Sequence, residues 1–283
     1  MNTPEQREKW GFQTKFRILP KDFVKLKNKK IILETEEVVI ATNTLSFDEY
    51  VELRLLAFIM FVTNIGLVFD SLFRFLKEKN IDVFDLFYEC LKQKDSAPSE
   101  IIEIFNKFKE STTNELWDSP EDIQNYFQNH ENYQKLLGGE EGINVLQHYQ
   151  AMVIFNNMEK WTEFTLKIAE SLLIKNNKFS KDVQNQFIDV ANYCRGLSFE
   201  PLTKNRKNKN PEFSFNYNIT EWLKSKENLE KFKDSPQKVK FSFSEKQFKL
   251  VDDALNLCGD TMVGKSRIFR WIQPDNIWRI PMF

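Results

Sequence analysis

Glycine and proline are scarce in this chain, eight and nine among 283 residues. A fold of many short strands needs turn formers every few residues, so the shortage argues against an all-β architecture and for helices. Cysteine is scarcer still, and Cys90, Cys194 and Cys258 stand far apart. An odd count without paired spacing excludes a disulfide framework and fits reduced thiols in a cytoplasmic protein. The two histidines, His130 and His148, belong to no H-x-x-x-H or Cys/His pattern, so their spacing supports no metal site. Net charge is nearly absent, with 40 basic against 41 acidic residues. No global field directs the chain to nucleic acid or to an acidic membrane. Long apolar runs are missing too. The one candidate, residues 55–69, is interrupted by Thr63 and Asn64 and falls short of the roughly 20 residues a membrane span needs. The opening, MNTPEQREKWGF, is polar and makes no signal peptide. There is no Gly-x-Ser-x-Gly, and no Cys or Ser has a local base, so nucleophilic catalysis has no support.

What the chain does have is aromatic bulk, 14% with 27 Phe, enough for a sizeable core. Residues 44–80 organise it. Ser46 and Glu49 form a capping-box pattern. The run is then apolar nearly all round, as in a helix buried on most sides, and from Ile65 to Leu76 it keeps offsets of three and four. The pattern predicts one long central helix. Before it, residues 30–42 carry Ile31-Ile32 and Val38-Val39-Ile40 and predict one or two short strands. After it, helices are expected over residues 81–93, 101–109 and from Ser119-Pro120 onward, with a turn at Gly138-Gly139 and Gly142. Residues 143–175 and 180–193 repeat the helical spacing. A basic loop at 204–211, KNRKNKNP, is the best internal boundary, and alternation of Val239, Phe241 and Phe243 predicts a strand. The expected fold is mainly α: a multi-helix domain around one long buried helix, with a small N-terminal β element and a short strand near residue 240. Its expected parts are an extended segment over 1–43, a helical domain over 44–203, and a basic loop with a C-terminal helical segment over 204–283.

Residues 259–266, GDTMVGKS, match the phosphate-loop pattern G-x-x-x-x-G-K-[ST]. That loop works only between a buried strand and a helix. Here Phe248, Val251, Leu255 and Cys258 keep helical spacing before it, so a helix interrupted by glycines is the better reading. The acidic groups Glu34, Glu36, Glu37 and Glu140-Glu141 read as solvated turns, and the basic tail with Trp271 and Trp278 as Arg side chains capping carbonyls while the Trp rings pack.

The N-terminal residues REKWGFQTKFR (7–17) and then EEVVIATNTLS (36–46) resemble the region just after the catalytic barrel in cobalamin-binding-domain radical SAM proteins. There R-E-K-x-G-x-x-T-x-F-R precedes an E-E-x-x-x-x-T-x-T-x-S strand-to-helix passage. The stretch GDTMVGKSRI (259–268) is similar to the same family's G-x-T-x-x-G-x-x-R-I close. The resemblance implies that a [4Fe–4S] cluster, S-adenosylmethionine and cobalamin bind a part absent from this chain, because no C-x-x-x-C-x-x-C occurs here. The chain alone is then not expected to be catalytic or to hold a cofactor or metal. It would be a C-terminal accessory portion, a fragment or a separate subunit, closing a radical SAM barrel in cis or in trans and shaping its substrate pocket. The residues that would face the barrel mouth are Lys15, Arg17, Glu36, Glu37, Asn43 and Arg54. Ion pairs holding the strand to the central helix are their plainer reading, with Arg54 expected near Asp48 or Tyr50. Residues 4–20 read as the continuation of another domain, with no helix cap of their own. The alternatives are a stand-alone helical protein-interaction module and, third, a phosphate-loop nucleotide-binding protein. No nucleic acid or membrane partner is expected.

Overall fold

The computed structural model describes residues 3–200, 209–233, 235–259 and 261–282. It is mainly helical, as expected, with small antiparallel sheets. In chain order it forms α1 (Pro4–Trp10), β1 (Gln13–Lys25), β2 (Ile31–Ala41), α2 (Phe47–Thr63), α3 (Asp70–Glu78) and α4 (Val83–Lys92). There follow α5 (Ser99–Asn114), α6 (Pro120–Gln128), α7 (His130–Gly138), α8 (Val145–Met152), α9 (Met158–Lys175) and α10 (Lys181–Ser198). The chain ends with β3 (Glu212–Phe215), α11 (Ile219–Lys224), β4 (Gln237–Ser242), α12 (Glu245–Cys258), α13 (Met262–Lys265) and β5 (Ile280–Met282). Most of the basic loop, 204–208, lies outside the described residues. The chain divides into two compact units, Met1–Ala57 with Phe105–His148, and Phe58–Ile104 with Tyr149–Phe283.

In the first unit Pro4 opens α1, where its missing N–H costs nothing, and Thr3 caps it by accepting from Gln6 N at 3.4 Å. This corrects the expectation that the N-terminal segment has no cap. Gly11 ends the helix at φ 60°. β1 and β2 then pair antiparallel, with Arg17 opposite Glu36 and Ile18 opposite Thr35. Sequence periodicity gives no strand over residues 13–25, because Pro20 and scattered lysines break the alternation. The register indeed slips between Ile18 and Phe23, around a proline that has no N–H for the ladder. The outer edge of β2 is satisfied by α6: Gln128 accepts from Ile31 N at 3.2 Å and donates to Ile31 O at 3.0 Å. Ile18, Ile31 and Leu33 pack on Ile123, Phe127 and Leu136 of α6 and α7. Each such side chain stabilises by about 1.5–3 kcal/mol when fully buried. The capping box at α2 forms as expected, Glu49 N donating to Ser46 Oγ at 3.2 Å and Ser46 N to Glu49 Oε2 at 2.8 Å.

In the second unit the apolar run over 44–80 turns out to be broken. α2 ends at Thr63, and the helical stretch from Gly66 leaves it at 95°. Thr63 Oγ1 donates back to Ile59 O at 2.7 Å and Asn64 Nδ2 to Met60 O at 2.8 Å, which competes with continued helix. Gly66 takes φ 60°, where a side chain would meet Asp275 at 2.7 Å and Trp278 at 2.9 Å. Residues 143–175 are likewise interrupted, by a π-helical turn at Val153–Asn157. β3, β4 and β5 form one antiparallel sheet in that order. Phe241 of β4 lies on α10 at Gly196, where an added Cβ would stand 2.5 Å from the ring. Trp278 is buried, whereas Trp271 is 62% exposed, against the expectation that both pack. Arg279, beyond the arginines of that expected tail, donates to Lys209 O at 2.7 Å and Glu200 O at 3.3 Å. Among the described residues no single helix is long and apolar enough to cross a membrane; only the bent pair of α2 and its successor passes on length and composition together.

Candidate functional site

The first unit contains a cavity of about 400 Å³. Its floor is Ile18 of β1 and Phe127 of α6; Ser111, Asn114 and Glu115 come from the end of α5; Trp117, Tyr126 and residues 140–145 close it. The backbone explains how distant residues meet here. Phe16 N donates to Trp117 O at 2.9 Å and Trp117 N to Phe16 O at 2.7 Å. This bridge adds the segment after α5 to the edge of β1 and brings Glu115 beside Arg17. Gly142, at φ 60°, lets the closing loop pass, because a Cβ there would stand 2.4 Å from Leu136 Cδ1.

Behind the Glu115 wall lies a charged network. Arg17 donates through Nε to Glu36 Oε1 at 2.6 Å and through Nη1 to Glu115 Oε1 at 3.0 Å. Arg54 Nη2 lies 3.6 Å from the same Glu115 oxygen. Arg54 therefore pairs across the unit with Glu115 and not with Asp48, while its charge also reaches Tyr50, the other neighbour expected from its position on the helix. Burial pushes the Glu115 carboxyl up, and the attraction of Arg17 and Arg54 only partly offsets it. Burial also opposes the charge on Arg17, but Glu115 and Glu36 outweigh it and push the guanidinium up. The desolvation cost thus falls on the carboxylate and the gain on the arginine. Tyr50 is buried beside the network, and burial raises its hydroxyl pKa.

The other expected site residues serve the hairpin. Lys15 pairs with Asp118. Glu37 pairs with Arg7, whose Nη1 donates to Oε1 at 2.8 Å; that contact, with a Thr14 hydrogen bond, holds Glu37 at about 2. Asn43 Nδ2 donates to Lys9 O at 3.1 Å. None of the six is among the cavity's lining residues; Arg17, Glu36 and Arg54 reach it only through Glu115. Glu115, Trp117 and Tyr126 carry no local signal, since only the pairing of distant segments gives them a site. Glu140 and Glu141, read as a solvated turn, line the cavity. Tyr126 Oη donates to Glu141 Oε1 at 3.1 Å, and Lys135 lies 3.6 Å from that oxygen.

No group of three or more His, Cys, Asp or Glu among the described residues is placed to hold a metal ion. Cys90 and Cys194 are buried free thiols, and burial pushes Cys194 up to about 12, which makes it inert. At the phosphate-loop lookalike, α12 occupies the place where a nucleotide site needs a strand. Thr261 caps α13 by accepting from Gly264 N at 3.1 Å, and a Cβ on Gly264 would meet Cys258 O and Gly259 O at 2.3 Å. Helix ending and close backbone approach account for these two glycines without a ligand. No protein-family model matches the chain, and no curated protein is similar to it.

Proposed function

We propose that this chain is a C-terminal accessory region of a radical SAM-type enzyme, cytoplasmic, with no cluster of its own. The observation that supports this reading is that two of the three stretches bearing the resemblance, 7–17 and 36–46, interlock. Arg7 pairs with Glu37 and Arg17 with Glu36, and Asn43 holds the end of α1 through Lys9 O and Trp10 O. The similar positions are therefore contact positions of one folded element, which reaches the cavity through the Arg17–Glu115 pair. A cluster-bearing barrel, in cis or as a separate chain, would supply S-adenosylmethionine chemistry and cobalamin; this chain would close the barrel and shape the pocket. The test is to read the DNA upstream of the coding region for a C-x-x-x-C-x-x-C barrel and to capture partners with the tagged chain. A barrel in frame or in the neighbouring gene, or a captured radical SAM protein, supports the reading. An unrelated upstream gene together with no such capture removes it and leaves a helical interaction module.

A further inference from the structure

The cavity is lined by both aromatic rings and carboxylates: Trp117, Tyr126 and Phe127 with Glu115, Glu140 and Glu141. Trp117 and Tyr126 both line it, with ring centroids 5.0 Å apart and tilted by 54°. No lysine or arginine is among the lining residues. The lining carboxylates are Glu115, Glu140 and Glu141. Glu115 is held by Arg17 and Arg54, and Glu141 by Lys135. Glu140 forms no ion pair among the described residues. A pocket of this size that combines aromatic rings with an unpaired carboxylate is complementary to a monocation with an apolar body.

We propose that the cavity binds a small organic ammonium ion, its apolar body against Trp117 and Tyr126 and its charge at Glu140. Glu115, already shared by two arginines, shapes the wall and does not take the charge. A phosphate or carboxylate guest is disfavoured, because it would meet the Glu140 and Glu141 carboxylates before any cation. The inference deepens the accessory-region reading by naming what the pocket accepts. It rests on that reading only for the source of the ligand.

The test uses the full chain and three probes of one shape: 2-phenylethylamine, 2-phenylethanol and 3-phenylpropionate, titrated by calorimetry near neutral pH. The amine is expected to bind at least about tenfold more tightly than the alcohol, with the acid weakest. Glu140→Gln should weaken the amine about five- to tenfold and leave the alcohol unchanged. Glu140 is exposed and unpaired, so that variant should keep the wild-type circular dichroism spectrum. Ile143→Trp, which fills the cavity, should remove binding of both. Equal affinity for amine and alcohol, an amine affinity unmoved by Glu140→Gln, or no amine binding at all overturns the proposal. Amine binding with no barrel gene nearby and no radical SAM protein captured would keep this inference and sink the accessory reading. A barrel upstream with no amine binding would do the reverse.

Discussion

Replacing Arg17 with Met tests the network that positions the cavity wall. The substitution keeps a long apolar stem and deletes the fork that joins Glu36 to Glu115. Glu36, with a side chain 39% exposed, can turn to water. Glu115, at 16%, keeps only Arg54 at 3.6 Å. Removing one partner of a fully buried pair costs about 3–5 kcal/mol, and an exposed pair contributes about 0–1 kcal/mol. Arg17 is between these limits, with one partner nearly buried and one nearly free, so we expect a loss of about 1.5–2.5 kcal/mol near neutral pH. The pH dependence gives the sharper check. Burial already raises Glu115 in the folded protein, and losing Arg17 raises it further. A carboxyl whose folded pKa lies above its unfolded value of about 4.3 opposes folding once the pH passes that value. The cost of Arg17→Met is therefore greatest near neutral pH and shrinks as the pH falls toward the unfolded pKa, where Glu115 is protonated. Arg17→Lys keeps the charge without the two-pronged geometry and should fall between wild type and Met. Urea unfolding followed by circular dichroism at neutral and mildly acidic pH measures both. A loss under about 0.5 kcal/mol, the ordinary range for a surface substitution, or a loss of constant size across pH, refutes the reasoning.

Asp189 is fully buried and accepts from Asn216 N at 2.7 Å and Tyr217 N at 2.8 Å through one oxygen. Asp189→Ala, which strands the buried Tyr217 N–H and opens a void, should cost about 2–4 kcal/mol, whereas Asn, which can present the same acceptor, should cost under about 1 kcal/mol; equal losses in chemical denaturation would contradict this. Burial raises Asp189 in the folded state, so wild-type stability should fall relative to the Asn variant as the pH rises through the carboxylate range. Glu37 has the opposite sign. Held at about 2 chiefly by Arg7, it supports α1 above the ordinary carboxylate range and loses that support as the pH falls toward about 2. Glu37→Gln should accordingly speed amide exchange in α1 near neutral pH, and unchanged exchange would show that the pair does not hold the helix. Gly66→Ala meets both a positive φ and the Asp275 and Trp278 side chains, and should lower stability by about 1–3 kcal/mol. Wild-type stability in that variant would mean the break after α2 relaxes freely.

Local rules carried much of the fold. The capping box at Ser46, the helix start at Ser119-Pro120 and the helices at 83–92, 99–114 and 181–198 follow from side chains a few residues apart, and such interactions survive in any tertiary context. The strand at 237–242 showed through its alternation. Of the site, Arg17, Glu36 and Arg54 were read as ion-pairing residues, and Glu140 and Glu141 only as an acidic pair without a role. Tertiary structure decided the rest. β1 exists because β2 and the Trp117 segment give its backbone partners despite Pro20. The long apolar run breaks at Thr63 because side chains can take helix carbonyls and Gly66 can turn left-handed under Trp278, while apolar spacing continues through the break. Glu115 meets Arg17 and Arg54 only when the end of α5 is laid beside β1. That contact spans 98 residues of sequence, and no periodicity along the chain encodes a pairing at that distance.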